Sequence, residues 1–452
     1  MKVSNLIAVA AIATFGFAPK AFAFHDGGVA YCDGCHTMHN SAVSNGGTGV
    51  DGAVAKKGAS TRFQGVVMNL LQGSDDSSTC LNCHASAATG GYHIMTFPAP
   101  TGLTAPVNRT PGGDFAWLTQ TFTGVTTYGA PYTSKGERHG HNIVAADYGL
   151  IADTILNTTS PGGSYPAGSL SCASCHDPHS RARIVDANGT IAYNQLGAKT
   201  LPISGSGSYG ATPTATEAVG VYRLLAGLNY TQDTTGFVFT QAGPPVAVAP
   251  AVYNRTELAT DTRVAYGTGM SQWCANCHAA IHNNVADTGT AFIHPNGPLA
   301  VLTQATTVNG VGTTQAGIYN AYVKSGDLTN TQATSYTSLV PFEEGTAVIA
   351  TLLTHSTSTG GPTTGTENVM CLTCHRAHAG GFDSMTRWQN RGEFLTIAGA
   401  WPGSDAAATE GKGAQYSNGM TQGQYSAAMY DRPATNFATY QRSLCNKCHA
   451  KD

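Results

Sequence analysis

Apolar residues recur at helical spacing in three stretches of this 452-residue chain. AGIYNAYVKSG at 316–326 presents one apolar face and ends in a glycine, which is a typical helix stop. EEGTAVIATLLTH at 343–355 predicts a short helix, and FATYQRSLCNKCH at 437–449 places Phe437 and Tyr440 on one helical stripe. Alternating, strand-like patterns are scarce. The pattern therefore predicts a mostly irregular fold with short α-helices and little β-structure.

The composition adds a second constraint, because the chain is rich in glycine and poor in charge. Glycine accounts for 54 residues, and charged residues make up 11%, against roughly 25% in typical globular domains. Stretches such as NGGTGVDGAVAKKGAS at 45–60 have no periodicity. We therefore expect something other than side chains to fill much of the interior. The net charge of −3 gives no electrostatic footprint for nucleic acid or for an anionic membrane.

The first residues have the features of a secretory signal peptide. Lys2 supplies a positive charge, an apolar segment follows from Leu6 to Ala18, and AFA at 21–23 predicts cleavage before Phe24. The apolar segment is short for a membrane span, and no second candidate follows. The predicted organisation is a cleaved signal peptide at 1–23 and one domain at 24–452, with no transmembrane segment in the exported protein.

All 12 cysteines occur in six Cys-x-x-Cys-His motifs. This is the attachment signature of c-type haem, because two thiols at that spacing form thioethers with one porphyrin edge and the next histidine binds the iron. The predicted thioether residues are Cys32, Cys35, Cys80, Cys83, Cys172, Cys175, Cys274, Cys277, Cys371, Cys374, Cys445 and Cys448, and the proximal ligands are His36, His84, His176, His278, His375 and His449.

Two other interpretations of the cysteines are weaker. Paired Cys-x-x-Cys sequences can form zinc sites, but zinc does not require a histidine after every pair. A disulfide framework suits an exported protein, but it does not explain the fixed spacing. The sequence therefore predicts a multihaem c-type cytochrome built around a chain of six covalently bound haem c groups.

Ten further histidines are available as the second axial ligand. Methionine is the competing ligand, with nine residues in the chain, but the abundance of histidine favours histidine on both faces of each iron. His25 and His139 rank lowest, the first because it lies near the terminus and the second because His141 is better placed. The distal candidates are His39, His93, His141, His179, His282, His294, His355 and His378.

Four of these candidates lie three or four residues after a motif histidine: His39, His179, His282 and His378. On a helical turn, residues at this spacing share one face. Such a histidine starts on the same side of its own haem as the proximal ligand, so we expect it to bind a different iron. The alternatives are a surface histidine or a partner for a haem propionate.

Arginines also occur near the motifs. They are Arg138, Arg181, Arg183 and Arg376. Arginine suits carboxylates, so these residues are predicted partners of haem propionates, with solvated surface charge as the alternative.

The chain resembles the OmcS-type hexahaem cytochromes of metal-reducing bacteria. The resemblance runs through FHDGGVAYCDGCHTMHNS, TPGGDFAW, GHNIVAADY, YNRTELATDTRVAYGTGMSQWCANCH, CLTCHRAHAGGFDSMTR and CNKCHAKD, and it covers essentially the whole mature chain. Departures are expected in loops such as 45–60 and 300–315. The resemblance implies extracellular filaments in which His39 binds the haem on Cys371 and Cys374 of an adjacent subunit.

The predicted function is extracellular electron transfer by a filament of identical subunits at the cell surface. Its partners are other multihaem cytochromes and extracellular acceptors such as metal oxides, electrodes and partner cells. The chain is predicted to be an electron carrier and not an enzyme with a dedicated catalytic site. Two alternatives remain: a periplasmic carrier that does not polymerise, and a multihaem reductase with an open haem face.

Overall fold

The computed structural model describes residues 32–36, 71–88, 92–126, 129–180, 182–193, 201–203, 212–241, 243–249, 257, 264–282, 296–303, 305–308, 311–322, 329–335, 340–356, 360–362, 366–406 and 413–443. Several predictions fall outside these ranges. They are the signal peptide at 1–23, His25, His39, Arg181, His294 and the sixth motif with Cys445, Cys448 and His449. Only the backbone of Cys32 is described.

The described part of the chain contains eight short α-helices. They are α1 (Cys32–Cys35), α2 (Asp76–His84), α3 (Met270–Cys274), α4 (Gln315–Tyr322), α5 (Ile349–Ser356), α6 (Cys371–Cys374), α7 (Gly413–Tyr416) and α8 (Gln422–Ala428). Helices α1, α2, α3 and α6 coincide with cysteine motifs, and a 3₁₀ turn at Cys172–Ser174 holds another. No helix in these ranges has the length and apolar character needed to cross a membrane.

Ten short strands form four small sheets among the described residues. They are β1 (Phe122–Val125), β2 (Pro131–Ser134), β3 (Arg183–Ile184), β4 (Ile191–Ala192), β5 (Leu201–Ile203), β6 (Glu217–Gly220), β7 (Ala247–Val248), β8 (Ala265–Tyr266), β9 (Ala305–Val308) and β10 (Val311–Thr314). The orders are β1-β2, β4-β3-β6-β5, β7-β8 and β9-β10, antiparallel except for β5 and β6. In β1-β2, Phe122 pairs with Ser134. The prediction of an irregular fold with short helices and little β-structure agrees with this architecture.

The first predicted helix is confirmed, and the second is confirmed in its last part. Helix α4 covers most of 316–326 and buries Ile318, Tyr319 and Tyr322. Helix α5 begins at Ile349, later than predicted, because the preceding residues are used elsewhere. Glu343 forms bridges with Tyr266 and Asn368, which hold the backbone in an extended form.

The third predicted helix is wrong over 437–443. Phe437 is in an extended conformation after a 3₁₀ turn at Ala434–Asn436. Ser443 donates a backbone hydrogen bond to the carbonyl of Glu393, and Arg442 bridges to Phe394. Pairing with a distant segment therefore satisfies the backbone that a helix would otherwise satisfy.

Side chains also build part of the interior of the described chain. Buried apolar residues form three clusters in the described ranges. The largest includes Trp117, Phe382 and Tyr425, and a smaller one around Tyr266 packs against the fourth motif at Trp273 and Cys274. The described residues therefore form side-chain clusters that pack beside the haem motifs.

Candidate haem sites

Two pairs of cysteine motifs pack against each other through the same contacts. The thiols of Cys80 and Cys172 are close enough to shift each other's pKa, and so are those of Cys274 and Cys371. In each pair, a serine three residues before the first cysteine accepts a hydrogen bond from the backbone N–H of the opposite motif. Ser77 Oγ lies 3.1 Å from the nitrogen of Cys172, and Ser271 Oγ lies 3.2 Å from that of Cys371. The second and third motifs, and the fourth and fifth, are therefore fixed side by side.

The motif histidines are oriented by their Nδ1 atoms. The Nδ1–H group donates to a backbone carbonyl in four of them: His84 to Tyr92 at 2.8 Å, His176 to Arg223 at 2.7 Å, His278 to Pro161 at 2.8 Å and His375 to Ser384 at 2.8 Å. A carbonyl can only accept, so the proton is on Nδ1. The lone pair on Nε2 is then available to a metal, and the ring orientation is fixed.

Three motif histidines lie opposite a predicted distal histidine. The ring centroids of His36 and His179 are 6.0 Å apart. Those of His278 and His141 are 6.1 Å apart. For His176 and His378 the separation is 6.3 Å. In each pair the two histidines come from different motifs or from a loop remote in sequence.

These separations fit one iron between two imidazoles. Imidazole nitrogens bind metals at about 2.0 Å, and a ring nitrogen lies about 1.1 Å from the centroid, so two rings on opposite sides of a metal have centroids about 6.2 Å apart. The side chains present therefore suit haem with histidine on both faces. Bound haem supplies a one-electron couple at the iron.

Desolvation keeps three of these imidazoles neutral, those of His141, His176 and His378. It lowers the pKa of His141 and of His176 to about 4. The pKa of His378 falls to about 3 for the same reason, with smaller contributions from neighbouring His176 and His141. Since only an unprotonated nitrogen can ligate iron, all three rings are in the ligating form at pH 7.

Two loops position His141 and His378 through close backbone contact. His378 N–H donates to the carbonyl of Gly112 at 2.7 Å, and His141 N–H donates to the carbonyl of His378 at 2.9 Å. Glycine is needed on both sides. A Cβ on Gly113, which has a φ of +104°, would lie 1.7 Å from the carbonyl oxygen of Ala379, and one on Gly140 would lie 2.3 Å from that of His378. The loops that contain PGG (111–113) and HGH (139–141) thus pack closely against the backbone of the segment after the fifth motif.

Comparison with known proteins identifies the family. No protein-family model matches the chain. The chain is 50% identical to the C-type cytochrome OmcS of Geobacter sulfurreducens over 466 aligned positions, which cover 100% of this chain and 99% of that protein. The chain belongs to the OmcS family of c-type cytochromes. Two solved structures from Geobacter sulfurreducens, of the OmcS nanowires and of the outer membrane cytochrome S filament, are each 48% identical with a TM-score of 0.77 and cover 95% of this chain and 100% of theirs.

Family membership confirms three predictions made from the sequence. The resemblance to OmcS-type cytochromes is correct over the full length. The fold class is also correct, since the solved OmcS structures superimpose on a chain of loops and short helices. Covalent haem attachment follows from membership in a c-type cytochrome family.

Three other distal candidates are described but lie in different surroundings. His93 Nδ1–H donates to the carbonyl of Ala88 at 3.1 Å, and His282 Nδ1–H donates to Asn296 Oδ1 at 2.5 Å. His355, on α5, contacts the carboxylate of Glu344 through Nδ1. In all three, Nδ1 is engaged as in the motif histidines, the arrangement in which Nε2 would be the iron-binding atom.

His139 is held by a buried polar network. Its Nδ1 lies 2.9 Å from the carbonyl oxygen of Trp117, and its Nε2 lies 2.8 Å from Ser134 Oγ. Ser134 in turn hydrogen-bonds Asp383. Both ring nitrogens of His139 are therefore used by the protein, in keeping with its low rank among the distal candidates.

The predicted arginines that the structure describes contact carboxylates or backbone carbonyls of the protein. Arg138 lies 3.5 Å from the carboxylate of Asp383, and Arg183 donates to the carbonyls of Ser180 and Ala182 at 2.7 Å. Arg376, immediately after the fifth motif, is fully buried and lies 2.8 Å from Glu257. The structure therefore shows carboxylates and carbonyls of the protein beside these guanidinium groups.

Sequence reasoning missed the buried ion cluster around Glu257. The guanidinium groups of Arg376 and Arg387 each lie 2.8 Å from Glu257 Oε2, and Arg432 donates to its backbone carbonyl at 2.6 Å. The ring of Tyr430 stacks under Arg376 at 3.4 Å from its centroid. No local motif marks Glu257, and its partners are separated from it by more than a hundred residues.

Proposed function

We propose that the chain binds six haem c groups and that its subunits assemble head to tail into an extracellular filament that conducts electrons. The electrons pass to acceptors outside the cell, such as metal oxides, electrodes, partner cells and other multihaem cytochromes. Membership in a family with solved nanowire structures supports the filament. The observation that carries the proposal is the set of histidine pairs that connect different motifs.

In this proposal each haem is held by the two cysteines and the histidine of its motif. His179 is the distal ligand at the first motif, His378 at the third and His141 at the fourth, as the ring separations support. His39, His93, His282, His294 and His355 supply the candidates for the remaining irons. The protein is an exported electron carrier without a dedicated catalytic site.

The pairing of a histidine after one motif with the haem of another motif can also connect two subunits. His179 and His378 each lie three residues after a motif histidine, and each crosses to another motif: the fifth motif reaches the third, and the third reaches the first. His39 lies at the same offset after the first motif. Continuing the series, His39 reaches the fifth motif of a neighbouring subunit, at Cys371 and Cys374.

Such a contact explains why assembly would form an open fibre. The donor histidine and the accepting motif are different parts of the subunit, so the contact would be heterologous. A heterologous contact whose rotation does not close generates a filament. The bond that joins two subunits would then lie on the line of haems that carries the electrons.

We expect all six haem irons of the assembled protein to be low-spin. Because histidine is expected on both faces of every iron, electron paramagnetic resonance of the oxidised, assembled protein should show six low-spin haems per chain and no substantial high-spin signal. Electron microscopy of the same preparation should show filaments. A high-spin signal in intact material would contradict the ligand assignment, and uniformly monomeric particles would favour a carrier that does not polymerise.

His378→Ala should remove the distal ligand of the third haem while leaving the fifth motif intact. We expect all six haems to stay attached and one in six to become high-spin, because His378 faces His176 and not the histidine of its own motif. Electron paramagnetic resonance together with a haem assay measures this. A high-spin signal at the fifth haem, and not at the third, would instead place His378 at its own motif.

A further inference from the structure

The Nδ1 partner of His355 differs from the partners of the other haem-site histidines. Backbone carbonyls accept from His84, His93, His141, His176, His278 and His375. For His282 the acceptor is the neutral amide of Asn296. His355 instead hydrogen-bonds a carboxylate through Nδ1, that of Glu344.

Glu344 is placed by the fold to make this contact. Its side chain is 1% exposed, and its backbone N–H donates to the carbonyl of Tyr266 at 2.8 Å. The next residue, Gly345, has a φ of +65° and lies so close to Thr366 that a Cβ would come within 2.1 Å of the Thr366 carbonyl oxygen. The chain then enters α5, which carries His355. A carboxylate buried in this way needs a strong donor, and His355 Nδ1–H is one.

We propose that Glu344 lowers the reduction potential of the haem that His355 ligates. The inference rests on the proposed function, in which His355 is a candidate distal ligand, and it takes His355 Nε2 as the ligand of one of the remaining irons. A carboxylate that accepts the Nδ1 proton makes the imidazole a stronger electron donor through Nε2. Stronger donation favours the oxidised iron, so this haem should be harder to reduce than it would be with a carbonyl or amide acceptor at the same position.

A plain salt bridge is the alternative explanation of the contact. It would require an imidazolium ring, with protons on both nitrogens, and such a ring cannot bind iron. The two explanations therefore predict different spectra. If iron is bound to His355 Nε2, replacing the Glu344 carboxylate changes the spectrum and the reduction potential of one haem. If the contact is a salt bridge, the replacement changes the stability of the protein and leaves the spectra and potentials of all haems unchanged.

Glu344→Gln tests the proposal, because glutamine keeps the shape and an acceptor oxygen but removes the charge. In a potentiometric titration of the purified holoprotein, followed by visible and paramagnetic resonance spectra, the reduction equilibrium of one haem in six should shift about tenfold or more toward the reduced state. For a one-electron couple this is an increase of about 59 mV. The low-spin g values of that haem should change with it. Glu344→Asp, which retains the charge, should remain closer to the original potential than Glu344→Gln.

Glu393→Gln is the matched control. Glu393 is 43% exposed and is paired with Arg442 at 2.7 Å, so its loss removes the same charge at a site where the described residues show no histidine contact. All six potentials should stay as they are. Six unchanged potentials in Glu344→Gln, or equal shifts in Glu344→Gln and Glu344→Asp, would overturn the proposal.

A separate variant distinguishes failure of the tuning from failure of the ligation. His355→Ala should turn one haem high-spin if His355 is a ligand. If it does, and Glu344→Gln leaves every potential unchanged, the tuning is wrong while the ligand assignment stands. If His355→Ala leaves all haems low-spin, the ligand assignment itself is wrong, and the proposed role of Glu344 fails with it.

Discussion

Glu257→Gln is expected to destabilise the folded protein by about 3–5 kcal/mol, the range for removing one partner of a buried ion pair. Arg376 and Arg387 are both fully buried and share Glu257 Oε2 at 2.8 Å, so a neutral amide would leave two guanidinium groups without their counter-charge in the interior. The measurement is the denaturant midpoint of the holoprotein, followed by tryptophan fluorescence and far-ultraviolet circular dichroism.

The chain offers an exposed pair as control for this prediction. Arg442 and Glu393 also lie 2.7 Å apart, but their side chains are 37% and 43% exposed. Exposed pairs contribute about 0–1 kcal/mol, so Glu393→Gln should leave the midpoint almost unchanged. Equal, small effects of the two substitutions would show that the buried cluster is compensated in some other way.

The same cluster predicts an acid dependence of stability. Desolvation alone would raise the pKa of Glu257, but the charges of Arg387, Arg376 and Arg432 outweigh it and hold the pKa below the ordinary value of 4.5. A carboxyl whose pKa is lower in the folded state stabilises fully above its unfolded-state pKa, and that stabilisation is lost as pH falls through the folded value. Glu257→Gln should therefore cost much less stability in strong acid than at pH 7.

The sequence predicts the haem attachment sites because their chemistry is local. Two thiols and an imidazole must reach one porphyrin, so Cys-x-x-Cys-His is visible within five residues. The proposed distal ligands are partly predictable for the same reason, because the offset of three in His179 and His378 predicts that each binds a haem other than that of its own motif. Which motif they reach depends on tertiary structure, and only the ring separations supply that pairing.

The buried polar groups show where local pattern fails. Glu257 is separated by 119 residues from Arg376 and by 175 from Arg432, and no local pattern shows that they are in contact. Glu344 lies within a predicted helix. The preceding residue, Glu343, forms strand-like bridges with Tyr266 and Asn368, and these hold the local backbone in an extended conformation. The helical stripe at Phe437 and Tyr440 fails likewise, because backbone pairing with 393–395 competes with helix formation.

His39→Ala is expected to abolish or greatly shorten the filaments while the subunit still folds. His39 is proposed to ligate the fifth haem of a neighbour, so its loss removes a metal–imidazole bond from every subunit junction. The haem on Cys32 and Cys35 should stay attached with His36 bound, and the high-spin signal should arise at the haem on Cys371 and Cys374. Electron microscopy measures filament length, and electron paramagnetic resonance measures the spin state.

His179→Ala is the matched control for His39→Ala. His179 has the same offset from its motif, but its partner His36 is in the same chain at a ring separation of 6.0 Å. Its loss should also turn one haem in six high-spin, yet it should leave the filaments intact because no junction loses a bond. Comparing the two variants separates the effect of losing a ligand from the effect of losing a junction.

Free imidazole provides the decisive comparison for His39. Added to His39→Ala, it should restore the low-spin signal by binding the open coordination position, but it joins no two chains and should not restore filaments. Recovery of filaments with imidazole would mean that ligation, and not the covalent continuity of His39 with its own subunit, stabilises the junction. Normal filaments in His39→Ala without imidazole would place the junction elsewhere. A further outcome is a high-spin signal in a protein that was already monomeric before the substitution. His39 would then ligate a haem of its own chain, and the pairing of histidines with other motifs would stay within one subunit.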